Sequence, residues 1–377
     1  SIVFSLRSAT KTKTLISIYI KILMNFLQVT VIIANYKLNW PPLLHSFMDF
    51  SLKLGDSSGV SMSAFCFVKD LDSKESFYLN IIVVASTPFA TILLVLAVWF
   101  SIKICIKVVY FKYKVLCSTT VLIFLVQPHI VRTMFSIFSC EQVEEDFWLS
   151  SDLSIKCFDS QHNFHSLAIA LPSLMLWVFG LSVLCITFLI RRKKQLDEVT
   201  TKYILGFLYH GFKAQYFYWE FVIFYRKILI IVLSVFANEY PASQAATSQL
   251  VLVFALFMQL KAKPFASHQL NLAEVLSILL SLLTLTCGVI FLKDSIGQAG
   301  NVIITVILGF SFISFFSVVS KEILGTVLGL LLNKYPKLRQ GLSTIAKYFN
   351  IKVIQANEQT MMPGMPEAQS LKQIEAH

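Results

Sequence analysis

Residues 217–228 read FYWEFVIFYRKI, and the run continues as LIIVLSVF to Phe236. Glu220, Arg226 and Lys227 are three ionisable groups among aromatic and branched aliphatic side chains. On a helix Glu220 and Lys227, seven apart, share a face, while Arg226 points about 100° away from Lys227. Arg226 and Lys227 lie about 9–10 Å further along the axis than Glu220, at about 1.5 Å per residue. An ionised group in hydrocarbon is costly without a partner, even when it snorkels. Candidate partners at similar depth are Lys21, in LISIYIKILMNFLQVTVIIA, and Glu274, in LAEVLSILLSLLTLTCGVIF. Lys21, Glu220, Arg226, Lys227 and Glu274 are therefore expected to form an internal charged network. Two readings stand: a lock that fixes helix register, and an ion or headgroup site.

A second polar set is Lys21, Asn25 and Gln28, which fall on one helix face at spacings of four and three. Such a face is either interhelical glue or the lining of a pathway. Seven cysteines are present. Cys105, Cys117, Cys185 and Cys287 lie in or near apolar runs and read as inert thiols. Cys140 and Cys157 bracket the acidic stretch EQVEEDFW and are expected to pair, which leaves Cys66 unassigned. His162 and His165 sit beside Cys157, but no CxxC or His/Cys metal spacing occurs, so no metal and no cofactor is expected. HExxH, GxSxG and nucleotide-binding glycine loops are also missing from the sequence, and enzymatic activity is not expected.

These residues need apolar helices to position them. Hydrophobic residues make up 56% of the 377 and charged residues only 14%; a soluble chain carries about 25% charged residues. Eight stretches approach the roughly 20 residues that cross a bilayer: 14–34, 80–102, 115–138, 165–190, 217–237, 245–260, 272–292 and 301–320. The connections 1–13, 103–114, 191–216, 261–271 and 321–377 hold 22 Lys/Arg against 6 Asp/Glu, whereas 35–78, 139–164, 238–244 and 293–300 hold 6 against 13. The two sets alternate, and Lys/Arg-rich flanks are cytoplasmic. The expected fold is thus an all-α polytopic transmembrane helix bundle of about eight spans with both ends cytoplasmic. Its net charge of +11 faces anionic inner-leaflet lipid, not nucleic acid.

The domain reading is a cytoplasmic stub over 1–13, a transmembrane domain over 14–333, and an amphipathic helix with a flexible tail over 334–377. SIVFSL at the start reads as the end of an earlier hydrophobic segment, which would set a preceding domain outside the cell. Pro88, Pro128 and Pro172 interrupt spans two, three and four, and TTKYILGFLYHGFKAQYFYWEF (200–221) reads as an aromatic interfacial elbow leading into span five. The segment EQVEEDFW reads as a solvated loop.

Several motifs occur in order: KILMNFLQ…NWP, VQPHIVRTMFSIFSC…DLSIKC, GFLYHGF…FYWEFVIFYRKILI and LVLVFALFMQLKAKPF…LNLAEVLSILLSLLTLTCGVIF. Over about residues 14–293 the chain resembles the multi-pass C-terminal region of very large modular surface proteins of ciliates and related protists. Those proteins carry cysteine-rich or EGF-like repeats, and this region of theirs is loosely TRP-like. The resemblance implies a plasma or ciliary membrane and an anchor or receptor-like module tethering an extracellular part or a partner complex. A cation channel or channel subunit of TRP-like type is the alternative.

Overall fold

The structure is a computed structural model and describes residues 11–42, 44, 48, 73–105, 111–193, 199–293 and 297–334. The amphipathic helix and tail expected beyond 334, most of the stub over 1–13, and Cys66 lie outside the described residues. Helix α1 spans Lys11–Ala34, α2 Ser73–Cys105 and α3 Phe111–Ser136. Strands β1 (Cys140–Val143), β2 (Asp146–Leu149) and β3 (Asp152–Lys156) follow. Helix α4 covers Ser160–Arg191, then come α5 (Val199–Tyr209), α6 (Trp219–Phe236), α7 (Pro241–Ala262), α8 (His268–Lys293) and α9 (Gly297–Lys334). Residues Ser1–Ile323 form one compact unit, and a second begins at Leu324 within α9.

Seven of these helices are long and apolar enough to cross a membrane: Leu15–Ala34 of α1, Lys74–Cys105 of α2, α3, α4, α7, α8, and Gly297–Leu328 of α9. Their outward faces are apolar. Phe89, Leu93, Leu94, Val98 and Phe100 of α2 and Val302, Val306, Phe310 and Ile313 of α9 are exposed. Water would penalise such surfaces, and lipid would not. The eighth expected span is α6, whose 18 residues reach about 27 Å and carry the three ionisable groups.

One part of the chain departs from the all-α expectation. The acidic stretch after α3 is a three-stranded antiparallel sheet in the order β1-β2-β3. Cys140 lies opposite Leu149, and Trp148 opposite both Glu141 and Lys156. Leu149, Ile155 and Cys157 turn inward and join Ile130, Met134, Ile137, Trp177 and Ile231 in one buried cluster. The four-to-five-residue strands form because one face has this apolar shelf to rest on, while Glu144 and Glu145 stay in the open and Glu141 is half-buried.

Helix α1 is the centre of the first unit, with residues 25–33 buried without interruption. It packs through Ile18, Tyr19, Ile22 and Phe26 with Trp219 and Ile223 of α6, Leu270 and Ala273 of α8, and Phe312 and Phe315 of α9. Pro88, Pro128 and Pro172 all sit inside helices. Pro172 lies between two π-helical stretches of α4, His165–Ala170 and Met175–Gly180. These absorb the missing backbone donor by shifting the ladder one residue further on, as when the Leu171 N–H reaches the Ser166 carbonyl.

Candidate functional site

The site is a polar seam where α1, α6 and α8 meet. Glu220 falls in the first turn of α6, where the positive end of the helix dipole favours a carboxylate. Lys21 Nζ is 2.7 Å from its Oε2, and both side chains are under a tenth exposed. Lys21 also donates to the Phe207 carbonyl at 3.2 Å and lies 4.9 Å from the Phe212 ring centroid and 5.3 Å from that of Phe207. Every side of this ammonium therefore faces an acceptor or the negative face of a ring.

The loop that brings Phe212 over Lys21 has its own local cause. Gly211 has φ +93°, and a Cβ there would come within 2.5 Å of Ile18 Cδ1. Glycine lets the α5–α6 connection press directly on α1. The loop then pairs with the α7–α8 turn. The Lys213 N–H donates to the Pro264 carbonyl and the Ala266 N–H to the Gly211 carbonyl, both at 2.8 Å, and Phe212 and Phe265 form an antiparallel bridge. Asn271 holds that turn from α8: its amide donates to the Phe265 and Ser267 carbonyls at 2.8 and 2.9 Å and accepts from the Phe265 N–H at 3.1 Å.

Deeper along α6, Arg226 donates through Nη2 to Glu274 Oε1 at 2.9 Å. The guanidinium side chain is 9% exposed and the carboxylate 1%, so the pair is sealed from solvent. Lys227 pairs with neither carboxylate directly. Its Nζ donates to Asn25 Oδ1 at 2.9 Å and Gln28 Oε1 at 2.8 Å. Gln28 in turn donates to the Leu125 carbonyl of α3 at 3.1 Å, which extends the seam to a fourth helix.

The two residue sets read from the sequence thus meet in one place. The polar face of α1 is the partner that sequence reasoning did not assign to Lys227. The charged residues divide into two direct ion pairs, Lys21–Glu220 and Arg226–Glu274, with Lys227 between them on amide oxygens. Ser277, Ser281 and Thr284 bond back to carbonyls of their own helix at 2.7, 2.9 and 2.7 Å. They keep that face of α8 narrow without bridging to a neighbour.

Cys140 and Cys157 are joined by a disulfide. His162 lies close to both sulfurs, but its Nε2 faces the Ile137 carbonyl at 2.9 Å and its Nδ1 accepts the Phe158 N–H at 3.3 Å. The imidazole thereby joins the sheet to the end of α3. Cys117, Cys185 and Cys287 are free and buried, and Cys105 is free and exposed. Three polar anchors were not singled out from the sequence: Asn271 at the turn, Gln127, whose amide donates to the Trp177 carbonyl, and Gln244, whose amide donates to the Leu233 and Ser234 carbonyls at 3.1 Å.

The chain is 29% identical over 155 residues to "Cysteine repeat modular protein A" of Toxoplasma gondii, a stretch that covers 38% of this chain and 5% of that protein. The chain therefore spans a small fraction of the length of the relative it matches. No family model matches the chain, and no solved structure matches it. The link to cysteine-rich modular proteins rests on this partial match, which lends no support to the TRP-like comparison.

Proposed function

We propose that the chain is the membrane-embedded anchor of a larger cell-surface protein, holding an extracellular part or a partner complex to the bilayer. The observation that carries this reading is the way the seam spends its polar groups. Lys21, Asn25, Gln28, Glu220, Lys227 and Glu274 are all buried, and they bond to one another and to backbone carbonyls. A pore presents such groups to a lumen; here they tie helices together. The partial match to a modular protein of much greater length supports the same reading. Eight spans, α6 included, would put both ends in the cytoplasm, with basic connections facing anionic lipid of a plasma or ciliary membrane. On this reading the chain has no enzymatic role.

The test has two arms on the full chain. With Lys193→Cys, an impermeant maleimide should label the new thiol only after permeabilisation, and with Asp152→Cys it should label intact cells. Reversed labelling overturns the orientation. After reconstitution into planar bilayers, the protein should leave conductance at background, and reproducible unitary currents overturn the anchor reading in favour of the channel. That second reading, a TRP-like channel subunit, draws on the paired π-helical stretches around Pro172, a feature frequent at functional sites.

A further inference from the structure

The seam does not balance. Lys21, Arg226 and Lys227 supply three cationic side chains, and Glu220 and Glu274 supply two carboxylates. Lys21 is neutralised by Glu220 and Arg226 by Glu274, each in direct contact. Lys227 is left on two neutral amide oxygens. It feels the charges of Glu220 and Arg226 on its own helix, Glu274 on α8 and Lys21 on α1, with Glu220 the strongest of the four; by formal count alone the four cancel. Among the described residues Lys227 is therefore the cation without a carboxylate of its own, in a buried site where isolated charge is strongly disfavoured.

Open donors accompany that charge. An ammonium has three N–H groups, and two of those on Lys227 are engaged. Asn25 Nδ2 is buried without a hydrogen-bond partner, and it is the other end of the amide whose oxygen Lys227 holds at 2.9 Å. Arg226 Nε, Glu274 Oε2 and Glu220 Oε2 are also buried without a hydrogen-bond partner among the described residues; the first two are a donor and an acceptor of one ion pair, and Glu220 Oε2 is occupied by its ion pair with Lys21 at 2.7 Å. The surplus at Lys227 and Asn25 consists of donors only. Loss of a proton from Lys227 would remove the charge but leave Asn25 Nδ2 open, and a water molecule would satisfy the donors but leave the charge in place; a small anion meets both needs.

We propose that Lys227 and Asn25 form a binding site for a small monovalent anion of halide type, which completes the charge balance of the seam. This rests on the seam being a lock between helices and adds the ion that the lock takes.

The test uses the full chain in neutral detergent, with sodium gluconate exchanged for sodium chloride or bromide at constant ionic strength. Thermal unfolding should shift upward saturably, by roughly 5 °C when the halide reaches about a hundred times its dissociation constant. Asn25→Asp places a carboxylate beside Lys227 and is expected to fold while its halide response falls at least tenfold. Lys227→Gln, which removes the odd charge and keeps hydrogen-bonding capacity, should lose the response equally. Equal unfolding temperatures in gluconate and halide overturn the proposal. So does a rise that never saturates, as does a full response in both variants. None of these outcomes touches the coupling between Arg226 and Glu274, which tests the lock separately.

Discussion

The seam between α1, α6 and α8 and the small sheet between α3 and α4 solve one problem in opposite ways. Each must hold backbone segments that local propensity alone would not fix. The seam uses ion pairs, Lys21–Glu220 and Arg226–Glu274, inside a bundle whose outer faces are apolar. The sheet uses a covalent bond, Cys140–Cys157, and the only ion pair described on it, Lys156–Asp146 at 2.7 Å, is about half exposed. The contrast follows from the surroundings. Lipid gives helices little hydrophobic reason to associate, so polar contacts and close packing select the partner. A 17-residue excursion with four-to-five-residue strands has too little core of its own, so a cross-link and one apolar face stabilise it.

That contrast can be broken at several points. The largest effect is expected from Glu220→Gln, which leaves Lys21 buried without its counter-charge. The loss should be about 3–5 kcal/mol, seen as a large drop in unfolding temperature in detergent and a lower yield of assembled protein. Next is Cys140→Ser with Cys157→Ser. A closed loop of this size is worth about 3 kcal/mol, but the loss should stay local, with proteolysis appearing within 140–157 while the helices unfold at nearly the parent temperature. Gly211→Ala should cost about 1–3 kcal/mol, through strain at a positive φ and contact with Ile18. It is expected to be partly rescued by Ile18→Val, as measured by paired thermal melts. The smallest effect is expected from Phe212→Leu, which removes one ring from Lys21 and should cost about 1 kcal/mol. If that variant proves as damaging as Glu220→Gln, the rings hold the lysine and the ion pair is secondary.

The parts of this that could be read from residues are those where chemistry contrasts with its background. Three ionisable groups in FYWEFVIFYRKI stand out because their neighbours are apolar, and the apolar helices stand out by length. The partner of Lys227 did not, because depth along a helix is legible from sequence and azimuth toward a neighbour is not. Lys21 and Glu274 were at the right depth, but Asn25 and Gln28 were at the right angle. The sheet was hidden for another reason. EQVEEDFWLSSDLSIKC is acidic and its strands are too short for a firm period-two pattern, so its apolar face becomes visible only once Ile137, Trp177 and Ile231 lie beneath it. The Phe212–Phe265 bridge joins residues far apart in the chain, and no local pattern in the sequence records it. Ser277, Ser281 and Thr284 are small hydroxyl residues of a kind that can bond across helices, yet they satisfy their own helix.

The most direct test of the seam as a lock between α6 and α8 is a double-mutant cycle on Arg226 and Glu274, with Arg226→Met, Glu274→Met and the pair, followed by unfolding of the full chain in detergent or nanodiscs. Each single change should be strongly destabilising, and the double variant should recover much of the loss, giving a coupling of about 1–3 kcal/mol. Losses that simply add, within about 0.5 kcal/mol, would contradict the account, because the two charges would then be doing nothing for each other.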